Sequence, residues 1–402
     1  MSKTRSVKSK KRVAVPPYLA IGLSTTCRGI GKRSDIMRNI NHIENMIHGA
    51  MFVVSINMPV KIIALAEGAL SGFTDEAFDV PHVTAARDLW IDIPGPETDR
   101  LGEIAKQYET YIIAQCKARL PEVIKDRFFN MAFIIDPKGN VVHKYAKNHV
   151  FARERSCMPH DIYDIWVEKF GDGIDAFFPV LKTEDIGNIG TIICNDGMYP
   201  EPARALAFNG AEVIYRPSMA QPITGNGQWE TQNKSHAMFN NCYVIAPNVG
   251  PYYLHPGFEH GFDVAGGNSH IIDYQGNIIS FSASGTDTVT AAIIDIEQLR
   301  HFREMSLFGN GLKDLRTEIF KRMYEKPIHP KNLWIEQDPL QHADHDEIFR
   351  GNIKRLQEMG AYTPPATHYP GSKFISSFRD KRLRVWENAH KALWGDDTSS
   401  ED

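Results

Sequence analysis

The feature that most constrains this chain is a series of ten short strand-like runs, several of them nearly all apolar, separated by amphipathic segments. The runs are 18–25, 60–67, 110–116, 130–136, 140–147, 188–194, 211–216, 242–247, 269–273 and 290–296. Runs of that length with no polar alternation are what strands buried on both faces look like. Strands alternating with helical segments predict an α/β architecture, helices covering sheets. Ile36, Ile40, Ile43 and Ile47 recur at helical spacing behind Ser34, which stands where an N-cap belongs. Leu101, Ile104, Ala105 and Tyr108 repeat the pattern after Thr98, and a third helix is expected to run from Pro202 to a stop at Gly210. No internal repeat is present.

The pattern gives the chain three parts around one folded unit. Residues 13–300 carry the strand signals, and the twelve residues before them are a basic arm (Lys3, Arg5, Lys8, Lys10, Lys11, Arg12) without apolar material. In residues 301–390 charges, prolines and histidines replace strand patterning, so this extension is expected to wrap the domain or join subunits. Residues 391–402 form an acidic tail, and both ends are expected to lack fixed structure. Lys plus Arg at 45 against Asp plus Glu at 49 gives a net charge of -4. That balance excludes a nucleic-acid footprint over the whole molecule, and no apolar stretch approaches the ~18 residues of a membrane span. Neither a nucleic-acid nor a membrane partner is expected. No secretory apolar segment follows the basic arm, and five cysteines without a C-x-x-C pair support neither a disulfide framework nor a structural zinc site. A reducing, cytoplasmic setting follows.

Three polar residues end apolar runs, where open α/β sheets place ligands: Glu67, Lys147 and Cys194. A thiol attacks only as thiolate, so a nucleophilic cysteine needs a base and a positive field beside it, which Glu67 and Lys147 would supply. Each residue alone has a plainer reading: a small buried hydrophobe, a helix cap, a solvated basic cluster with Lys144 and His149. Cys116 and Cys242 lie inside strands and read as core. Cys157, in a loop near Glu154 and His160, is the serious rival for nucleophile. The segment 342–347 holds His342, Asp344, His345 and Asp346 but no third distant ligand, and reads as a polar helix start rather than a metal site.

The strings around these residues, LAEGALSGF (65–73), HKYAKNHVF (143–151) and IICNDGMYPE (192–201), resemble in order those of the nitrilase superfamily of carbon–nitrogen hydrolases. Framework strings resemble it too, among them IPGPETDRLGEIAKQYETYIIAQ (93–115), NMAFIIDPKGNVVHKYAKNH (130–149), NNCYVIAPNVG (240–250) and GGNSHIIDYQGNII (266–279). The likeness spans roughly residues 15–300. It implies a four-layer α-β-β-α sandwich that pairs through a helical face into homodimers or larger assemblies. It implies catalysis by a Glu67-Lys147-Cys194 triad with no metal or organic cofactor, with Lys147 and the Asn195 backbone N–H facing the oxyanion. Glu154, seven residues after Lys147, stands near the place of the second glutamate of related amidases, its plainer reading being an ion pair with Arg153 or Arg155. Glu201 and Arg204 match a Pro-Glu-x-x-Arg element and are expected to pair on one helix face, while Asp196 would fix the turn after the nucleophile.

Departures narrow the substrate. Nitrilases proper carry Trp-Glu after the cysteine, where Asn195-Asp196 stand here. Carbamoyl-amino-acid hydrolases follow Cys-Asn-Asp with two arginines, where Gly197 and Met198 stand. DGMYPE (196–201) and NNCYV (240–244) resemble aliphatic amidases and formamidases, so a small neutral carboxamide is the expected substrate, with water as second reactant. Arg216 could still anchor a carboxylate or else pair with Glu212, which keeps carbamoyl acids as an alternative; a nitrile substrate or a silent scaffold are further ones. The loop 218–229 is expected to border the pocket, with Arg216, Tyr199 and Trp229 as lining residues. In the helix before NNCYV, His236 and Phe239 replace the usual Arg and Glu, and His236 reads as a packing residue.

Overall fold

The computed structural model describes residues 13–151, 154–220, 226–261, 265–340 and 342–366. The basic arm 1–12 and the tail 391–402 lie outside them, as do 221–225 of the pocket loop. All ten apolar runs become strands. The first sheet has the order β12-β1-β2-β3-β4-β5, made of β1 (Tyr18–Ser24), β2 (Val60–Leu65), β3 (Tyr111–Arg119), β4 (Phe128–Ile135), β5 (Val141–Ala146) and β12 (Thr288–Ile294). The second has the order β11-β10-β9-β8-β7-β6, made of β6 (Val180–Lys182), β7 (Asn188–Thr191), β8 (Val213–Tyr215), β9 (Tyr243–Ala246), β10 (Ser269–Ile272) and β11 (Ile278–Ser282). β1, β2 and β3 run parallel, as do β7, β8 and β9. The edge strands β6 and β11 escaped the sequence reading because their burial is partial.

Alternation along each strand builds four layers. Ala20, Ile62, Ala64, Ile113 and Ile134 of the first sheet meet Ile189, Val213, Tyr215 and Ile245 of the second in one central core. The opposite faces pack on helices: Ile63, Leu65, Ile112 and Phe133 against α1 (Asp35–Val54) and α2 (Pro96–Tyr108), and Ile214 and Val244 against α3 (Pro200–Phe208) and α4 (Gln228–Asn240). This is the α-β-β-α sandwich, and double-sided burial explains why the inner strands such as β2, β3, β4 and β9 show no polar alternation.

Helix starts correct the sequence reading in three places. Ser34 does not cap α1, because it is itself helical; the Asp35 carboxylate instead accepts from the Gly31 and Lys32 N–H groups. α2 begins at Pro96, so Thr98 lies inside its first turn, its hydroxyl accepting from the Gly95 N–H. α3 begins at Pro200 rather than Pro202, since either proline suits a first turn that leaves its N–H groups free. Beyond residue 300 the chain first runs along the second sheet's helices, Arg303 donating to the Asn241 carbonyl and Tyr324 to Glu201, and then crosses to the first layer. Trp334 is buried, its backbone N–H donates to the Asp161 carbonyl, and its ring meets His82 edge-on, while α5 (His342–Glu358) opens with the His-Asp segment. Among the described residues no group of three or more His, Cys, Asp or Glu is placed to hold a metal. No described helix is long and apolar enough to cross a membrane.

Candidate active site

Chain direction decides what meets. β2 and β5 run the same way in the first sheet, so Glu67, two residues past β2, and Lys147, next after β5, emerge at one end. Lys147 Nζ lies 3.2 Å from Glu67 Oε1 and 2.6 Å from Glu154 Oε2, all three side chains being buried. Asn130, the third residue of β4, donates from Nδ2 to Oε1 of Glu67 at 3.2 Å and of Glu154 at 2.8 Å. Glu67 Oε2 accepts the Met219 N–H at 3.0 Å. Burial pushes Glu154 up, but Lys147, Lys117 and the hydrogen bonds from Lys147 and Asn130 bring it below the usual carboxylate range. Burial opposes the charge on Lys147, yet Glu154, Glu67 and Cys194 hold it well above its ordinary value. The ammonium is therefore charged at every physiological pH.

Cys194 arrives from the second sheet, three residues past β7. Its φ of 45° is left-handed, a conformation a non-glycine residue adopts only where its surroundings hold it there. Its N–H donates to the Pro217 carbonyl at 2.9 Å. Asp196 ties down the turn that follows, accepting from the Ile193 N–H and the Tyr145 hydroxyl on Oδ2 and from the His149 N–H on Oδ1. Burial and the Glu67 charge push the Cys194 thiol up to about 12, against the opposing effects of Lys147 and a hydrogen bond with Ser218. The resting sulfur is a thiol beside a carboxylate. The rival Cys157 is fully buried in the first layer's core, where burial pushes its thiol well up.

Several sequence expectations change here. Arg216 does not pair with Glu212, which binds Arg300 at 2.7 Å instead. Arg216 is buried beneath the Cys194 turn, donating to Asn233 Oδ1, Gln232 Oε1 and the Cys194 carbonyl, with its guanidinium 4.6 Å from the centre of the Trp229 ring. Trp229 is likewise core, its Nε1 donating to the Asn268 carbonyl. Tyr199 is 42% exposed and stacks on His149 at 4.3 Å. Glu201 and Arg204 form no ion pair, because Glu201 turns outward to accept the Tyr324 hydroxyl. Glu154 binds Lys147 rather than Arg155, which pairs with Asp79, while Arg153 lies outside the described residues. The Asn195 side chain donates to the Val150 carbonyl. His236 is buried with Nε2 2.9 Å from the Gly197 carbonyl, and burial draws it down to about 3.

Sequence reading missed Asn130, Gln115 and Ser218. Gln115 Nε2 donates to Asn130 Oδ1 at 2.6 Å and its Oε1 accepts the Gly68 N–H at 2.7 Å. The signal was present: an amide inside an otherwise apolar run must find partners there. Deeper still, Lys117 is buried with Asp75 at 2.7 Å and also meets Glu76.

The α-β-β-α sandwich is a nitrilase-superfamily fold, and between its two sheets it gathers a thiol, a carboxylate and a lysine held by a second carboxylate. The chain belongs to the carbon–nitrogen hydrolase family, whose model matches residues 20–304. Formamidases of Bacillus cereus (strain AH820) and Bacillus anthracis are each 28% identical to it over 224 residues, 56% of this chain and 59% of the relative. The chain thus matches somewhat over half the length of those relatives. Its fold resembles that of Saccharomyces cerevisiae Nit3, a member of branch 10 of the superfamily (TM-score 0.57, 20% identity, 75% of this chain and 99% of that one). It also resembles an amidase from Nesterenkonia sp. (TM-score 0.55, 14% identity, 76% of this chain and 96% of that one).

Proposed function

We propose that the chain hydrolyses a small neutral carboxamide to the acid and ammonia through a Cys194 thioester. Glu67 takes the thiol proton as the sulfur attacks the amide carbon, since a thiol at about 12 offers little free thiolate at neutral pH. Charge developing on the carbonyl oxygen is met by the Lys147 ammonium and the Asn195 backbone N–H, a type of donor worth ~3 kcal/mol each. The carbon–nitrogen bond breaks as Glu67 returns the proton to the leaving nitrogen, releasing ammonia. A water deprotonated by the same carboxylate then attacks the thioester and frees the acid and the thiol. Glu154 fixes Lys147 in the charged state that this requires.

The observation carrying this reading is the single buried Lys147 ammonium shared by Glu67 and Glu154. The formamidase relatives and the Nesterenkonia amidase favour amides as the class. One mutant of that amidase carries the acetamide moiety of fluoroacetamide covalently on its active-site cysteine. The engagement of Arg216 with Asn233, Gln232 and the Cys194 carbonyl disfavours a carboxylate anchor at that position, and with it carbamoyl acids. We further infer assembly through the outer helical face, where Phe208, Met238 and Phe239 of α3 and α4 are exposed. Ammonia release from formamide, short aliphatic amides, N-carbamoyl amino acids and nitriles tests the reaction, with Cys194→Ala as control. Turnover of neutral amides that the variant lacks is expected; turnover of carbamoyl acids alone, or activity surviving in Cys194→Ala, would overturn it. Sedimentation of the whole chain tests the assembly.

A further inference from the structure

The geometry points to Asn130 as a positioning residue that selects which oxygen of Glu67 takes the Cys194 proton, its amide orientation being set by Gln115. This rests on the proposed role of Glu67 as base. The orientation follows from a backbone group that can only donate. The Gly68 N–H points at one end of Gln115, so that end is the carbonyl oxygen and the other end is the Nε2 amine. That amine faces Asn130, so the facing atom of Asn130 is its oxygen, 2.6 Å away. The remaining Nδ2 amine is left to give its two hydrogens to Oε1 of Glu67 and Oε1 of Glu154.

The consequence is an asymmetric carboxylate. Glu67 Oε1 already accepts from Lys147 and Asn130, which occupies both of its lone pairs. Among the described residues Oε2 accepts only the Met219 N–H, which leaves a lone pair for the sulfur's proton. Met219 is one residue past Ser218, whose side chain hydrogen-bonds Cys194. The backbone that holds Oε2 therefore also carries a group touching the nucleophile. The charged and titratable groups facing Glu67 are Lys147 and Glu154 from the first sheet, Cys194, Tyr215 and Arg216 from the second, and Cys27. Of these, only Lys147 is a hydrogen-bond donor to its carboxylate. Asn130 is the uncharged donor shared between the two glutamates.

The test reads proton removal without turnover: the rate of Cys194 alkylation by iodoacetamide against pH, located by peptide mass, in the wild type, Asn130→Leu and Gln115→Leu. Losing a donor favours the protonated carboxyl, so the acid limb of the profile is expected to move up by about one pH unit in Asn130→Leu. Gln115→Leu, which frees the Asn130 amide to turn, is expected to move it the same way by less. Folded variants with an unmoved limb would overturn the inference, and where Asn130→Leu does not fold, Gln115→Leu decides. A wild-type profile without an acid limb would instead sink the reading of Glu67 as base, and this inference with it. Cys194-dependent ammonia release alongside an unmoved limb would leave that reading standing.

Discussion

Gly197 lies so close against Arg216 that a β-carbon at position 197 would sit 1.9 Å from the arginine Nε. No side chain fits between the Cys194 turn and the guanidinium supporting it. This contact explains both the glycine three residues after Cys194 and the burial of an arginine that sequence reasoning had placed in the pocket. Its fork holds the Cys194 carbonyl and two α4 side chains, all within the protein.

Gly197→Ala must therefore move the turn that carries Cys194. Displacement of a nucleophile by about 1 Å costs on the order of 100-fold in rate. We expect amide turnover to fall by at least that much while far-ultraviolet dichroism stays native. A fully active Gly197→Ala would mean that the turn is looser than drawn.

Arg216→Lys separates support from substrate binding. Lysine cannot span Asn233, Gln232 and the Cys194 carbonyl together, and leaving buried acceptors unmet costs ~1–3 kcal/mol. We expect kcat to drop about 10–100-fold on every substrate, with KM for neutral amides and for carbamoyl acids changing alike. A rise in KM confined to carbamoyl acids would assign Arg216 to a substrate carboxylate.

Because burial and Glu67 push the Cys194 thiol up to about 12, its ultraviolet thiolate absorbance, measured against Cys194→Ala, should show no step between about pH 6 and 9. A titration step in that window would mean a preformed thiolate, with Glu67 relieved of its first task.

Buried histidines set the acid limit of stability. Burial draws His82 and His236 down to about 3 and His143 and His270 to about 4. Each is neutral when folded, whereas the unfolded chain binds a proton near pH 6.5. Their contribution is complete above about pH 6.5 and declines as pH falls toward 4. Tm should fall across that window, and less steeply in His82→Phe, whose ring can keep the stack on Phe128 at 4.1 Å. Equal slopes in the two proteins would remove His82 from this account.

Lys117→Met should destabilise the whole first layer. It strips the counter-charge from Asp75, fully buried, and from Glu76, which burial already pushes up to about 8. Removing one partner of a buried pair costs ~3–5 kcal/mol. Denaturant unfolding that matches the wild type would show that the carboxyls protonate at little cost.

The sequence by itself determined the ten inner strands and the α/β class, and it placed Glu67, Lys147 and Cys194 where such strands end. Strands buried on both faces must be written as unbroken apolar runs, and a Glu, a Lys or a Cys placed where such a run ends stands out against them. Local pattern did not decide partners. Glu201 and Arg204 share a helix face in sequence, yet Glu201 is taken by Tyr324, 123 residues away. Arg216 looked free to reach Glu212 or a ligand until α4 folded over it with Asn233 and Gln232. Asn130 and Gln115 gained their meaning only when β3 and β4 paired and aligned them beneath Glu67 and Glu154. Charges and amides are satisfied by whatever the fold brings within about 3 Å, and that distance is set by sheet register and layer packing rather than by neighbours along the chain.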